Sequence, residues 1–407
     1  MTLPDEIMTY IFETGHRMTR GCAFAKSVSH VSRRFRRASL RTPSLWTRIS
    51  TAYADDQIPA SLLRSCAMDL EVTIMYGGND MELHAFFGLL HPSSNRWSRL
   101  DLGEPETAEP EHCLQHLTLP RLQTLRYDSR IDISLWDAPL LHRIEARHWD
   151  VSAGLAFHSQ LTTFELSMED WFPGIASLTR ALYSMINLRE LSLTLESSSN
   201  IKKDAALGVA EMLERRSVRI DALHVTIKHS TTYVIVEPLY DHLSYLSPCR
   251  FNITLENLAD DDHGPATFLY DSDANFFPYG ETISIRVADV GNSYKCWDDF
   301  GMLNAITESC SIAHTVHIDA PVATLLIFWQ PHIDGWNQFS SLRHLRFSYC
   351  DKLTERNVED LVTHLMDAGS GGSLELLEVL HCRGISEQFL RDICDKYELG
   401  QKLTWNP

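Results

Sequence analysis

Apolar positions recur along this chain in one spacing: apolar, two residues, apolar, one residue, apolar. It appears at Trp97-Leu100-Leu102, Leu122-Leu125-Tyr127, Leu141-Ile144-Ala146, Leu161-Phe164-Leu166 and Leu188-Leu191-Leu193. It continues at Ile220-Leu223-Val225, Ala313-Val316-Ile318, Leu342-Leu345-Phe347 and Leu374-Leu377-Val379. Side chains alternate across a strand, so the last two positions of each unit share a face. The first position is a turn residue that also points inward. Shorter alternating stretches read as strands at Leu70 to Ile74, Phe251-Ile253-Leu255 and Ile283-Ile285-Val287. One such strand cannot bury its apolar side alone. Stacked neighbours bury a continuous core, which is the logic of a solenoid.

The last two units match best. Leu342, Leu345, Phe347 and Cys350 superimpose on Leu374, Leu377, Val379 and Cys382 at a spacing of 32 residues. Past the cysteines, Leu353 pairs with Ile385, Thr354 with Ser386, Val358 with Leu390 and Leu361 with Ile393. Cys350 and Cys382 are therefore expected to be buried, reduced and unreactive. A glycine-rich loop at 369–373 absorbs the extra length. Upstream spacings vary from about 19 to 35 residues, so those repeats are degenerate. Helices are expected over Leu178 to Leu182 and Ala205 to Leu213. A chance series of alternating strands in another sheet protein is the competing reading.

The first fifty residues follow a different period. Leu3-Pro4-Asp5 starts a helix, with proline in the first turn and the acidic pair at its positive end. Ile7, Ile11 and Tyr10 or Phe12 give it one apolar face. A second helix is expected from Ala23 to Leu40, with Phe24, Val28, Val31 and Phe35 on one side and Arg33, Arg34, Arg36 and Arg37 on the other. Pro43 stops it, and Leu45-Trp46 opens a third short turn. A further helix is expected from Ile58 to Leu63.

The order Leu3-Pro4-x-x-Ile7, then Ile11, Val31, Arg34, Phe35, Leu45 and Trp46, resembles the F-box. The resemblance implies that Leu3, Pro4, Ile7, Ile11, Val31, Phe35, Leu45 and Trp46 dock on the Skp adaptor of a cullin-based ubiquitin ligase. The arrangement most resembles F-box proteins of mushroom-forming fungi. The terminal units resemble the cysteine-containing leucine-rich repeat. Together they imply an α/β fold: a short three-helix F-box over residues 1–50, a connecting helix and first strand over 51–75, and an irregular leucine-rich-repeat solenoid, a horseshoe, over 76–407. The implied function is that of a substrate-recognition adaptor of an SCF-type ligase. It performs no covalent chemistry and presents its repeats to an unidentified target protein. The alternative is an interaction scaffold with no part in ubiquitination.

Charge agrees with a protein partner. Of a net charge of −18, the first fifty residues hold +6, leaving −24 on the body. An acidic body argues against nucleic acid as a partner. The basic head suits an acidic protein surface, and any single arginine there also reads as part of a solvated helix face. No run of eighteen apolar residues suggests a membrane span, and the start lacks a secretory pattern, so the expected location is cytoplasmic or nuclear. The nine cysteines include no Cys-x-x-Cys pair and read as reduced thiols.

Chemistry is sparse. There is no phosphate loop, zinc-protease motif or nucleophile elbow. Asp271, Asp273 and Asn275 begin like a calcium loop, but Phe276 stands where the sharp turn needs glycine and Thr282 where it needs a bidentate carboxylate. Residues 260–263 form an acidic loop without a second half. His142 with His148, and His314 with His317, are the metal candidates among nineteen histidines. A spacing of three puts the latter two on opposite strand faces. No cofactor or metal is expected. Trp136, Trp149, Trp171, Phe172, Phe328 and Trp329 are candidate binding aromatics or fillers between irregular repeats.

Overall fold

The computed structural model describes residues 3–19, 21, 23–54, 56–75, 83–103, 114, 116–128, 133–147, 157–169, 175–197, 217–258, 265–288, 301–321, 339–366 and 373–406. The chain divides into two compact units, Met1–Leu166 with Ala181–Leu188, and Ser167–Arg180 with Arg189–Pro407.

The first unit opens with a helical head. Helix α1 (Asp5–Met18) starts after Pro4, with Asp5 and Glu6 in its first turn and His16 and Arg17 in its last, which suits the helix dipole. Helices α2 (Ala23–Val31) and α3 (Arg33–Leu40) replace the single helix expected from Ala23 to Leu40. The break is Ser32, whose backbone is extended and whose hydroxyl accepts the Phe35 N–H at 3.1 Å. That bond satisfies an amide at the new helix start, as an N-cap does. Phe35 packs edge-on against Phe12, with ring centroids 5.2 Å apart. A 3₁₀ turn, Pro43–Trp46, closes the head. Met8, Phe12, Ala25, Val28, Ala38, Leu45 and Trp46 form its core, with Phe24 and Phe35 against it.

Strand β1 (Arg48–Ser50), helix α4 (Gln57–Arg64), β2 (Leu70–Ile74), helix α5 (Leu83–Leu90), β3 (Trp97–Leu102), β4 (Thr124–Tyr127), β5 (Arg143–Ala146) and β6 (Thr163–Glu169) follow. Each strand pairs in parallel with the next. The register aligns the repeated apolar positions. Leu100, Leu125, Ile144 and Phe164 form one row; Leu102, Tyr127, Ala146 and Leu166 form the next. All eight are buried, as are the turn residues Leu122, Leu141 and Leu161.

Helix α6 (Ile175–Ser184) precedes β7 (Glu190–Glu196), β8 (Val218–Lys228), helix α7 (Tyr233–Leu243), β9 (Leu246–Glu256), β10 (Thr282–Ala288), helix α8 (Met302–Ser309) and β11 (Thr315–Asp319). Then come β12 (His344–Ser348), α9 (Glu355–Leu361), β13 (Leu376–Leu380), α10 (Glu387–Lys396) and β14 (Leu403–Asn406). Within the second unit, β7 to β14 pair successively, all in parallel. One buried row runs Leu191, Leu223, Phe251, Ile283, Val316, Leu345 and Leu377. Its neighbour runs Leu193, Val225, Ile253, Ile285, Ile318, Phe347 and Val379. The expected α/β class and stacked parallel strands are thus present, one strand per repeat.

The 32-residue match extends to detail. Thr354 and Ser386 are the N-caps of α9 and α10, each accepting a backbone N–H three residues on. Val358 and Leu390, then Leu361 and Ile393, are buried one and two turns later. The helix expected over Ala205 to Leu213 lies outside the described residues, as does most of the loop at 369–373.

Candidate interaction surfaces

Helix α1 carries two apolar stripes at i, i+4 spacing, and only one is needed for the head's core. Met8, Phe12 and His16 point inward. Leu3, Ile7 and Ile11 form the other stripe and remain 46%, 47% and 50% exposed. Tyr10 and Met18 lie exposed on the same helix, and Val31 is exposed at the end of α2. Arg34 draws the start of α3 to the start of α1. Its guanidinium donates to the Asp5 carboxylate at 2.7 Å and to the Leu3 carbonyl. Exposed apolar residues gathered on one small unit mark an interaction surface more often than isolated ones do.

The eight residues read from the sequence as adaptor-binding therefore fall into two sets. Leu3, Pro4, Ile7, Ile11 and Val31 are exposed. Phe35 is half-buried, and Leu45 and Trp46 are interior. The Trp46 indole N–H donates to the Ser39 carbonyl at 2.9 Å, and the Arg64 guanidinium of α4 lies 4.5 Å from its ring. Trp46 thus supports the exposed face from behind and joins the head to α4.

A second feature is a cleft of about 750 Å³ on the open face of β1 to β4, beside the last turn of α1. Arg17, Arg48, Arg99 and Arg126 line it together with Glu71, Asp101 and Asp128. Arg48 holds the cleft's edge by donating to the Glu71 carboxylate at 3.0 Å and to the His16 carbonyl at 2.7 Å. The second bond adds to those that Thr19 already makes to the same carbonyl at the end of α1, through its N–H at 3.3 Å and its hydroxyl at 3.2 Å. Arg99 pairs with Asp101 at 3.0 Å, and burial pushes the Asp101 carboxyl up from its ordinary range against the pull of Arg99. Arg143 continues the series with Glu145 at 2.8 Å and with Glu165. Paired charges of this kind suit recognition of another charged surface. Sequence reading missed them, although Arg99-x-Asp101, Arg126-x-Asp128 and Arg143-x-Glu145 repeat at outward strand positions.

His16 lies behind this edge. It is buried, neither ring nitrogen has a hydrogen-bond partner among the described residues, and its pKa is lowered to about 4. Burial is the main cause, and the Arg48 charge adds to it.

On the open face of the second unit one row reads Ser192, His224, Asn252, Ser284, His317, Arg346 and Glu378. The Asn252 amide donates to His224 Nδ1 at 3.0 Å, and Arg346 pairs with Glu378 at 2.7 Å. Burial and the neighbouring Arg346 hold His317 below the usual histidine range. His314 is exposed just before β11, while His317 lies on the open face. His142 turns Nδ1 to the Leu140 carbonyl, and His148 lies outside the described residues. Among the described residues no three His, Cys, Asp or Glu side chains converge as a metal site. The Asp271 carboxylate is occupied by its own turn, accepting from the backbone N–H groups of Asp273 and Asn275.

Trp136 takes the second of its two expected roles, that of a filler between repeats. It is 5% exposed, and its indole N–H donates to the Leu114 carbonyl at 2.7 Å, so it fills the interior. Trp149, Trp171, Phe172, Phe328, Trp329 and the acidic loop at 260–263 lie outside the described residues. No helix among the described residues is long and apolar enough to cross a membrane.

No known protein family matches the chain. No curated protein matches it either. Among solved structures it is similar to an internalin (inlF) from Listeria monocytogenes. The two are 15% identical over 71% of this chain and 81% of that one, with a TM-score of 0.28. A likeness of that degree adds nothing to the fold argument, which rests on the chain's own strand ladders.

Proposed function

We propose that the chain is a protein-interaction adaptor whose head recruits the Skp adaptor of a cullin-based ubiquitin ligase and whose repeats bind a target protein, in the cytoplasm or nucleus. The observation that carries the reading is the division of labour on the head. Leu3, Pro4, Ile7, Ile11 and Val31 fall in F-box order and stand exposed, while Leu45 and Trp46 hold the head together behind them. An adaptor of this kind performs no covalent chemistry. It raises the effective concentration of target lysines near a loaded enzyme. The paired charges on the open strand faces suit a charged protein surface and contribute to specificity and association rate.

The test is binding of the purified chain to purified Skp adaptor. Replacing Leu3, Pro4 and Ile7 by alanine should abolish that binding and leave the repeats folded, because none of the three is a core residue. Undiminished binding by the triple variant would refute the ligase reading and leave the chain as an interaction scaffold without a part in ubiquitination.

A further inference from the structure

Cys350 and Cys382 leave β12 and β13 in turns that lie directly on one another. The two strands are in register to their ends, where Ser348 pairs with Leu380. Tyr349 and His381 follow, both with left-handed backbone at φ 52° and 53°, and their rings stack at 5.0 Å. The Arg383 N–H then donates to the Asp351 carboxylate at 3.3 Å. Gly384 sits so close that a Cβ there would come within 2.5 Å of the Leu353 carbonyl oxygen. Neighbouring strands lie about 4.8 Å apart, inside the range of roughly 4.4–6.8 Å that Cα atoms span in disulfides.

Both sulfurs point back over the preceding strand. Cys350 Sγ reaches the Ile318 carbonyl of β11 at 3.4 Å, and Cys382 Sγ reaches the Phe347 carbonyl of β12 at 3.8 Å. Cys382 is thereby aimed at the repeat that holds Cys350, its sulfur lying over the carbonyl of Phe347 in the strand that leads to that cysteine. Their access differs. Cys350 is fully buried, whereas Cys382 is 7% exposed and borders a small cavity with Ile385, Trp405 and Asn406.

We propose that Cys350 and Cys382 are a peroxide-responsive thiol pair that closes into a disulfide between two consecutive repeats. The expectation of two inert thiols treats each alone; their adjacency and their different access make them unequal. Cys350 is shut away from solvent, while Cys382 opens on the small cavity and is the sulfur that peroxide reaches first. Cys382 is then the nucleophile. Its thiolate attacks one peroxide oxygen, the O–O bond breaks, and the departing hydroxide takes up a proton as water. Cys382 becomes a sulfenic acid. Cys350 attacks that sulfur, the S–O bond breaks, and the Cys350 proton leaves with the hydroxide as a second water. The two sulfurs are oxidised and the peroxide is reduced.

The test is oxidation of the reduced full-length chain with hydrogen peroxide, followed by alkylation under denaturing conditions and peptide mapping. Loss of both free thiols together, with a reductant-reversible link between the Cys350 and Cys382 peptides, is the expected result. Cys350→Ser should leave a sulfenic acid on Cys382 that a dimedone probe traps. Cys382→Ser should leave Cys350 reduced. The mapping of the unsubstituted chain stands even if either variant misfolds. Full recovery of both thiols at peroxide doses that oxidise the exposed Cys66 would overturn the proposal, and so would cross-links from either cysteine to Cys394.

Discussion

Trp46 is where the head meets the strands, and its replacement should be felt on both sides. The side chain is 5% exposed, packs with Leu45, Phe12 and Val28, donates to the buried Ser39 carbonyl and lies under Arg64. Trp46→Ala removes a buried aromatic, a change that costs about 3–5 kcal/mol. Trp46→Phe keeps a ring beneath Arg64 and removes one donor of the Ser39 carbonyl, which still accepts the Thr42 N–H at 3.2 Å, so it costs about 0.5–1.5 kcal/mol. The alanine variant should therefore be the less stable of the two. Hydrogen exchange read along the chain is the assay. In Trp46→Ala, protection should fall in α1 to α3, in β1 and in α4, while β12 and β13 keep theirs, because stability in stacked repeats is local. Loss confined to residues before Ser50 would refute the reasoning. It would mean that the Trp46–Arg64 contact carries no coupling and that the head and α4 open independently.

Acid should weaken the first unit through His16. Its folded pKa of about 4 lies below the unfolded value near 6.5, so the unfolded chain binds the extra proton first. Stability is unaffected by this group above pH 6.5, falls as pH drops toward 4, and levels off below, a loss of up to about 3 kcal/mol. Denaturant midpoints at pH 7 and pH 4.5 should show it, and His16→Gln should flatten the difference; an equal slope in that variant would assign the loss elsewhere. Gly384→Ala should destabilise the last repeats by about 1–3 kcal/mol, because the added Cβ meets the backbone carbonyl of Leu353 rather than a movable side chain. Thermal unfolding checks it, and an unchanged midpoint would mean that the two turns are not in contact.

What the sequence revealed follows from what local pattern can encode. Leu345 and Phe347, or Leu377 and Val379, declare a strand because two inward residues at period two need no tertiary information. Their alignment across strands then follows from stacking equal units. Thr354 and Ser386 were legible as equivalent positions and proved to be equivalent caps. The break at Ser32 was hidden because one extended residue leaves the spacing of Val28, Val31 and Phe35 looking continuous. Ile7 and Ile11 read as the apolar face of α1, but periodicity cannot choose between two apolar stripes, and Met8 and Phe12 took the core. Strands β1 and β14 were missed because neither Arg48–Ser50 nor Leu403–Asn406 is long enough to show the repeat spacing. The charged cleft on β1 to β4 was missed because its Arg-x-acid pairs sit in separate repeats and line one cleft only when the strands stack.

The central claim is that the exposed stripe of α1 connects this chain to a ligase core. The direct measurement is affinity purification with mass spectrometry of the intact chain beside a variant carrying Ile7→Asp and Ile11→Asp, both at exposed positions that leave the head's core untouched. The account predicts that the Skp adaptor and cullin come down with the unsubstituted chain and vanish from the variant, while partners held by the repeats stay in both. Recovery of the ligase core with both chains, or with neither, would contradict it.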